Sequence, residues 1–213
     1  MPAWLLVVWP LVAVGASYLL GNVPFGLLVG KLFYKIDVRR YGSGNIGATN
    51  IFRTLGPGPA LVVLIGDAGK GALAVLLGWL AGRGSPEWMF LAGIAAISGH
   101  NWPAVLGFKG GRGIATSLGV IATLMPQVTL IIVGIWLMVL AFSRYVSLAS
   151  ISAAVALPVT LLFFPQPGIY ALGSLILSAF ALYRHIPNMK RLMAGKEFKI
   201  GQKVSAEDKD REP

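Results

Sequence analysis

Long apolar runs recur along this chain, at residues 3–30, 57–80, 88–106, 114–125, 128–142, 147–164 and 169–184. A helix needs about 20 apolar residues to cross a bilayer, within a range of about 17–25. In hydrocarbon every backbone N–H and C=O must be satisfied within the protein, which leaves helices and closed barrels. Runs this long are helices, so the expected fold is an all-α integral membrane bundle of about seven transmembrane helices. The fourth run, 114–125, is too short to cross straight and reads as an incomplete span buried among the others. Composition agrees: 12% of the residues are charged, against about 25% in a soluble domain. The opening segment MPAWLLVVWPLVAVG has no basic residue ahead of its apolar run, so it reads as a retained span rather than a signal peptide.

The net charge of +10 invites a nucleic-acid reading, but the cations lie between apolar runs and in the tail, not along one soluble face. With the N-terminus outside, the connections 31–56, 107–113, 143–146 and 185–213 are cytosolic. Together with Arg184 at the last boundary they hold all of the 18 Lys and Arg residues except Lys70 and Arg83. The positive-inside rule therefore predicts an outer N-terminus and a cytosolic C-terminus. A single membrane domain, 1–193, precedes a polar cytosolic tail, 194–213. The chain has no cysteine, hence no disulfide and no thiolate nucleophile.

The first inner connection contains RRYGSGNIGATN, in which Gly42, Gly44 and Gly47 match G-x-G-x-x-G, with Asp67 further on. A dinucleotide loop needs a strand before it, a helix after it and a parallel sheet around it. Membrane spans on both sides remove that reading. What remains is a plain flexible turn or an anion nest of converging backbone N–H groups. Ser43, Asn45, Thr49 and Asn50 add hydroxyl and amide donors, and Arg53 adds a fork suited to phosphate. A helix starting near Asn45 would aim its first amides at the same place.

The second inner connection, within SGHNWPAVLGFKGGRGIATS, packs Gly110, Gly111 and Gly113 around Arg112. Topology explains a basic residue here, but not three glycines, so Arg112 and the backbone of Gly110 and Gly111 are candidate phosphate ligands. His100 reads as a hydrogen-bonded helix-end histidine. Asp67 and Lys70 stand three residues apart inside a span, either as a paired strut or as substrate contacts. His185 and Asn188, in RHIPNMKR, can contact a substrate together or cap the last span. Ser147 and Ser150 read by position as helix caps. No carboxylate pair, metal cluster or Ser–His–Asp order is visible. Cations and donors without a base and nucleophile suit an already activated, anionic substrate; an organic-phosphate transporter is the alternative, although it needs polar groups continuing to the outer side.

GSGNIGATNIFRTLG, SGHNWPAVLGFKGGRGIATS and RHIPN resemble the three motif regions of the bacterial acylphosphate-dependent glycerol-3-phosphate acyltransferases, the PlsY family, and SYLLGNVPFG and DAGKG resemble its first two spans. The resemblance runs to about Asn188. It implies a seven-helix enzyme of the bacterial inner membrane with its site on the cytoplasmic side. Such an enzyme moves the acyl group of an acyl phosphate to the sn-1 hydroxyl of glycerol 3-phosphate, giving lysophosphatidic acid and phosphate for phospholipid synthesis. Its implied partners are those two substrates, the lipid bilayer and an upstream acyl-phosphate-forming enzyme. No nucleic acid, cofactor or metal is implied. By the same resemblance Ser43, Gly44 and Asn45 cradle a phosphate, Arg53 and Arg112 hold glycerol phosphate, and His185, Asn188 and Ser150 line the reacting centre. The family usually reads GGKG where this chain has GGRG, so Arg112 replaces a compact ammonium with a wider fork.

Overall fold

The structure is a computed structural model that describes residues 4–202. Among the described residues there are ten α-helices and no strand. Helices α1 (Leu5–Gly21) and α2 (Phe25–Phe33) divide the first apolar run. Pro24 causes the break, because proline lacks an N–H and its ring disfavours helix in the residue before it. The two axes differ by 42°, which corrects the expectation of one continuous span over 3–30.

The first connection is not a plain loop. It holds a short 3-10 turn at Val38–Arg40 and then α3 (Ala48–Leu55), which begins at Ala48 rather than near Asn45. Proline opens α4 (Pro57–Ala81), α5 (Pro86–Asn101) and α7 (Pro126–Ser143) at a position where its missing N–H costs no helical bond. Between them lies α6 (Ile114–Leu124), and α8 (Val146–Leu161) follows. Last come α9 (Gly168–Arg184) and α10 (Ile186–Met193), bent by 55° at His185.

Helices α4, α5 extended to Leu106, and α7 are each long and apolar enough to cross a membrane; the bent pairs α1–α2 and α9–α10 qualify as broken spans, and α6 and α8 are shorter apolar helices. All seven apolar runs are thus helical. The 11 residues of α6 give a rise of about 16 Å against about 30 Å of hydrocarbon. Its shortness is accommodated by packing. A Cβ on Gly119 would run into the Ala68 carbonyl, and one on Gly71 into the Thr116 carbonyl. Helices α4 and α6 therefore touch backbone to backbone, as small residues permit in membranes.

The larger core joins Val75 and Phe90 to Val120, Met125, Val128, Leu157 and Leu177. A second core, around Leu27, Val38, Ile51 and Val63, fastens α2 and α3 to α4. Ile65, Leu80, Leu130, Phe142 and Leu162 are exposed. An apolar exterior of this kind needs lipid around it, since water would make it a liability.

Candidate active site

A cavity of about 510 Å³ opens between α3, α4, α6, α7, α8 and α9, and it collects most of the polar residues singled out in the sequence. Ser43, Asn45, Thr49 and Arg53 border it from the first connection, and Arg112 and Gly113 from the second. Ser147 and Ser150 come from α8 and His185 from the bend. Asp67, His100, Ser178 and Glu197 add polar groups, and much of the remaining wall is apolar, with Leu61, Leu64, Ile121, Ile132, Leu157 and Leu177 among the lining side chains.

The first glycine motif is built around Asn50. Its amide nitrogen donates to the carbonyls of Val38 and Tyr41, each at 3.1 Å, and its oxygen accepts from the Ser43 N–H at 3.0 Å and from the Ser43 hydroxyl at 3.3 Å. Both Asn50 donors are therefore committed. Asn50 borders the cavity, and its amide is the post on which the loop hangs. Gly44, at φ +65°, takes a left-handed turn that only glycine adopts easily, and its N–H donates to the Tyr41 carbonyl at 3.0 Å. It lies behind the cavity rather than on it, so its role is shape. Asn45 accepts from the Gly47 N–H at 2.8 Å, which sets up the start of α3. The first N–H groups of a helix have no partner within it, and Ala48 and Thr49, the first residues of α3, border the cavity. The start of α3, rather than the glycine turn at Gly44, is thus the part of this connection that faces the cavity.

Arg53 is 6% exposed. Its Nη2 donates to the Phe198 carbonyl at 3.0 Å, and its guanidinium lies 5.3 Å from the centre of the Phe198 ring. Arg112 sits opposite on the second connection. Burial pushes its pKa down to about 10, with Glu197 opposing and the neighbouring cations adding to the effect. Arg112 is cationic at neutral pH.

Gly110 and Gly111 stand off the cavity, contrary to the expectation that they contact phosphate. A Cβ on Gly110 would strike the His100 carbonyl, and one on Gly111 the His100 ring. The glycines let the connection settle on His100, where the Gly111 N–H donates to the His100 carbonyl at 3.0 Å. Beneath it lies a buried charged cluster. Lys70 Nζ is 2.7 Å from Asp67 Oδ1, and it donates to the Val23 carbonyl at 2.8 Å and to His100 Nδ1 at 2.9 Å. The same His100 Nδ1 lies 3.4 Å from Asp67 Oδ1, so the three side chains form one buried cluster. Of the two readings of Asp67 and Lys70, the paired strut is the one found, although Asp67 and His100 also border the cavity.

His185 Nδ1 lies 2.7 Å from the Ala181 carbonyl. A carbonyl only accepts, so Nδ1 carries the proton and Nε2 offers a lone pair. Burial pushes this histidine down to about 4, with Arg112 adding to the effect, so it is neutral at physiological pH. Ser150 donates to the Val146 carbonyl at 2.9 Å and accepts from Trp136 Nε1 at 3.2 Å. It therefore bonds back into its own helix and is no N-cap, since α8 begins after Tyr145. Asn188 is fully buried but does not border the cavity; its Nδ2 donates to Glu197 Oε1 at 2.8 Å. Through this bond Asn188 meets Glu197, which itself borders the cavity.

Glu197 is what the sequence reading missed. The tail expected from Ala194 folds back as far as it is described: Glu197 Oε2 accepts from Arg191 Nε at 2.8 Å, and the Ile200 N–H donates to the Arg144 carbonyl at 2.8 Å. Burial pushes the Glu197 carboxyl up, but the hydrogen bonds from Arg191 and Asn188 hold it below its ordinary value. The one hint was a single acid in MKRLMAGKEFK, a run otherwise cationic. The remainder of the tail, 203–213, lies outside the described residues.

A profile of the family described as Glycerol-3-phosphate acyltransferase matches residues 11–195. A glycerol-3-phosphate acyltransferase of Synechococcus sp. (strain JA-3-3Ab) is 46% identical over 203 residues, which are 95% of this chain and 98% of that protein. Glycerol-3-phosphate acyltransferase 2 of Moorella thermoacetica is 47% identical over 193 residues, 91% of this chain and 98% of that one. The crystal structure of PlsY (YgiH), an integral membrane glycerol 3-phosphate acyltransferase, in its glycerol 3-phosphate form, superposes with a TM-score of 0.85 at 37% identity, covering 90% of this chain and 96% of that one. Its lysophosphatidic acid form gives a TM-score of 0.83 at 36% identity, covering 91% and 96%. None of these relatives favours the transporter alternative. With its profile match over most of its length and its fold shared with PlsY, the chain belongs to the glycerol-3-phosphate acyltransferase family.

Proposed function

We propose that this membrane enzyme transfers a fatty acyl group from acyl phosphate to the sn-1 hydroxyl of glycerol 3-phosphate. The observation that carries the reading is one cavity in which Arg53, Arg112 and the free Nε2 of His185 share space with a long apolar wall. Relatives named for acyl transfer to glycerol 3-phosphate support it. In this reading the acyl chain lies along Leu61, Leu64, Ile132, Leu157 and Leu177. Its phosphate rests near Ser43, Asn45 and Thr49, where the first amides of α3 and the positive end of its dipole favour an anion. Glycerol phosphate enters onto Arg53 and Arg112, taking over the place on Arg53 now held by the Phe198 carbonyl.

The sn-1 hydroxyl donates to His185 Nε2 while its oxygen attacks the acyl carbon. The new ester C–O bond forms, the bond between the acyl carbon and the bridging oxygen of the anhydride breaks, and phosphate leaves with that oxygen and the electron pair. The hydroxyl proton passes to His185 or to a substrate phosphate oxygen. The mixed anhydride is already activated, so the protein supplies position and charge stabilisation. Asn188 and Glu197 hold α10 and the returning tail against this site. The concentration of Lys and Arg in one set of connections supports a site on the cytoplasmic side of a bacterial inner membrane, with the N-terminus outside. An acyl-phosphate-forming enzyme must supply the donor.

The test is a purified-protein assay of glycerol 3-phosphate with acyl phosphate, acyl-CoA and acyl carrier protein thioester in parallel. Lysophosphatidic acid and phosphate are expected from acyl phosphate; product from the thioesters alone overturns the donor assignment. Arg53→Ala removes a charge-assisted contact of about 1.5–3 kcal/mol. The KM for glycerol 3-phosphate is then expected to rise about ten- to hundredfold. Steady-state kinetics with unchanged KM would remove Arg53 from the site.

A further inference from the structure

Arg184, the last residue of α9, holds the second glycine connection from the side away from His100. Its Nε donates to the Gly111 carbonyl at 2.9 Å and its Nη2 to the Gly110 carbonyl at 2.6 Å. The guanidinium also lies 5.8 Å from the centre of the Trp102 ring. That ring is fixed in turn: Phe180 packs edge-on at 5.1 Å and Tyr183 lies at 6.3 Å. The Trp102 carbonyl accepts from the Tyr18 hydroxyl at 2.9 Å. Arg184 is thus an immobilised fork, with little side-chain entropy left to lose when a ligand binds.

The two carbonyls it grips determine which way the connection faces. In a trans peptide the C=O and N–H point in opposite directions. The Gly110 carbonyl on Arg184 sends the Gly111 N–H to the His100 carbonyl, as found. By the same geometry, the Gly111 carbonyl on Arg184 turns the Arg112 N–H away from Arg184. That N–H has no hydrogen-bond partner among the described residues, and Arg112 borders the cavity. Two consecutive peptides are therefore set by one side chain, and the next residue is the proposed phosphate ligand.

We infer that Arg184 is a positioning residue for substrate binding: clamping the Gly110 and Gly111 carbonyls presents the Arg112 amide and guanidinium to the phosphate of glycerol 3-phosphate. The inference rests on the proposed role of Arg112. Charge alone does not perform this task, because a lysine at 184 keeps the cation but cannot span two carbonyls as a planar fork.

The test compares Arg184→Lys, Arg184→Gln, Arg112→Ala and the double variant Arg184→Lys/Arg112→Ala, each purified in detergent, with thermal unfolding recorded alongside steady-state kinetics. Misplacing a binding group by about 1 Å can cost about 100-fold. Arg184→Lys and Arg184→Gln are expected to raise the KM for glycerol 3-phosphate by about ten- to hundredfold. The KM for acyl phosphate and the kcat stay within about twofold, and the double variant is no worse than Arg112→Ala, since residues acting as a unit are non-additive. A merely structural arginine would lower the unfolding midpoint and affect both substrates alike, and that result overturns the inference. So does a wild-type KM in both Arg184 variants while Arg112→Ala raises it, or full additivity in the double variant. If Arg112→Ala itself leaves the KM for glycerol 3-phosphate unchanged, the substrate role of the connection falls, and the Arg184 inference with it.

Discussion

His185→Ala is expected to lower kcat by about 10²–10⁴-fold, the range for a positioned side chain that handles a proton in the transition state. The KM for glycerol 3-phosphate should move little, because the phosphate is held elsewhere. The expectation rests on the tautomer. Nδ1 is tied to the Ala181 carbonyl, so the ring cannot swing and its unprotonated nitrogen has a fixed direction. His185→Gln retains a group that can accept a hydrogen bond but not a proton. It should recover part of the loss if orientation of the hydroxyl matters more than proton removal. The pH profile gives a second check. With its pKa pushed down to about 4, the histidine is in its active, neutral form at every pH well above that value and becomes inactive only as pH falls through it. The kcat profile should therefore lack a histidine limb near pH 6.5. A limb there that disappears in His185→Gln would show an ordinary histidine at 185 and overturn the buried, neutral assignment.

The second large effect concerns stability. Asp67 and Lys70 are both about 1% exposed and 2.7 Å apart. Removing one member of a buried pair leaves an uncompensated charge and costs about 3–5 kcal/mol. Asp67→Ala would leave the Lys70 ammonium facing the Val23 carbonyl, His100 Nδ1 and the Phe25 ring, with no anion beside it. Asp67→Ala/Lys70→Met removes the stranded charge and is expected to recover most of the loss. Thermal unfolding in detergent, followed by loss of soluble monodisperse protein, distinguishes the two. A single variant as stable as the double would show that the pair is dispensable. Because the Gly111 N–H rests on the His100 carbonyl, the single variant should also disturb the second connection, and activity should fall together with stability.

Much of this architecture is readable one segment at a time. The helical membrane class follows from apolar run length alone, since lipid permits no unsatisfied backbone. Residues 3–30 nevertheless held a break that length does not reveal; Pro24 was present in the sequence but was outweighed by the apolar residues around it. The glycine motifs marked the right connections. They did not distinguish residues that touch a ligand from residues that hold the loop, because asparagine and glycine serve both purposes. Asn50 spends its amide on Val38 and Tyr41, and Gly110 and Gly111 are small because His100 is close. Nothing in the spacing of GSGNIGATN or FKGGRG fixes which use is made of each.

Sequence by itself determined the helical membrane class, the clustering of cations in one set of connections and the positions of the two glycine motifs. These properties are local, set by run length, composition and backbone freedom. Tertiary structure alone decided which polar groups remain free to act. Arg53 meets a carbonyl 145 residues away, Glu197 takes the amide of Asn188, and Arg184 turns two peptides of a connection some 70 positions earlier. A buried donor must find an acceptor, and which acceptor it finds depends on which distant segment the fold brings beside it.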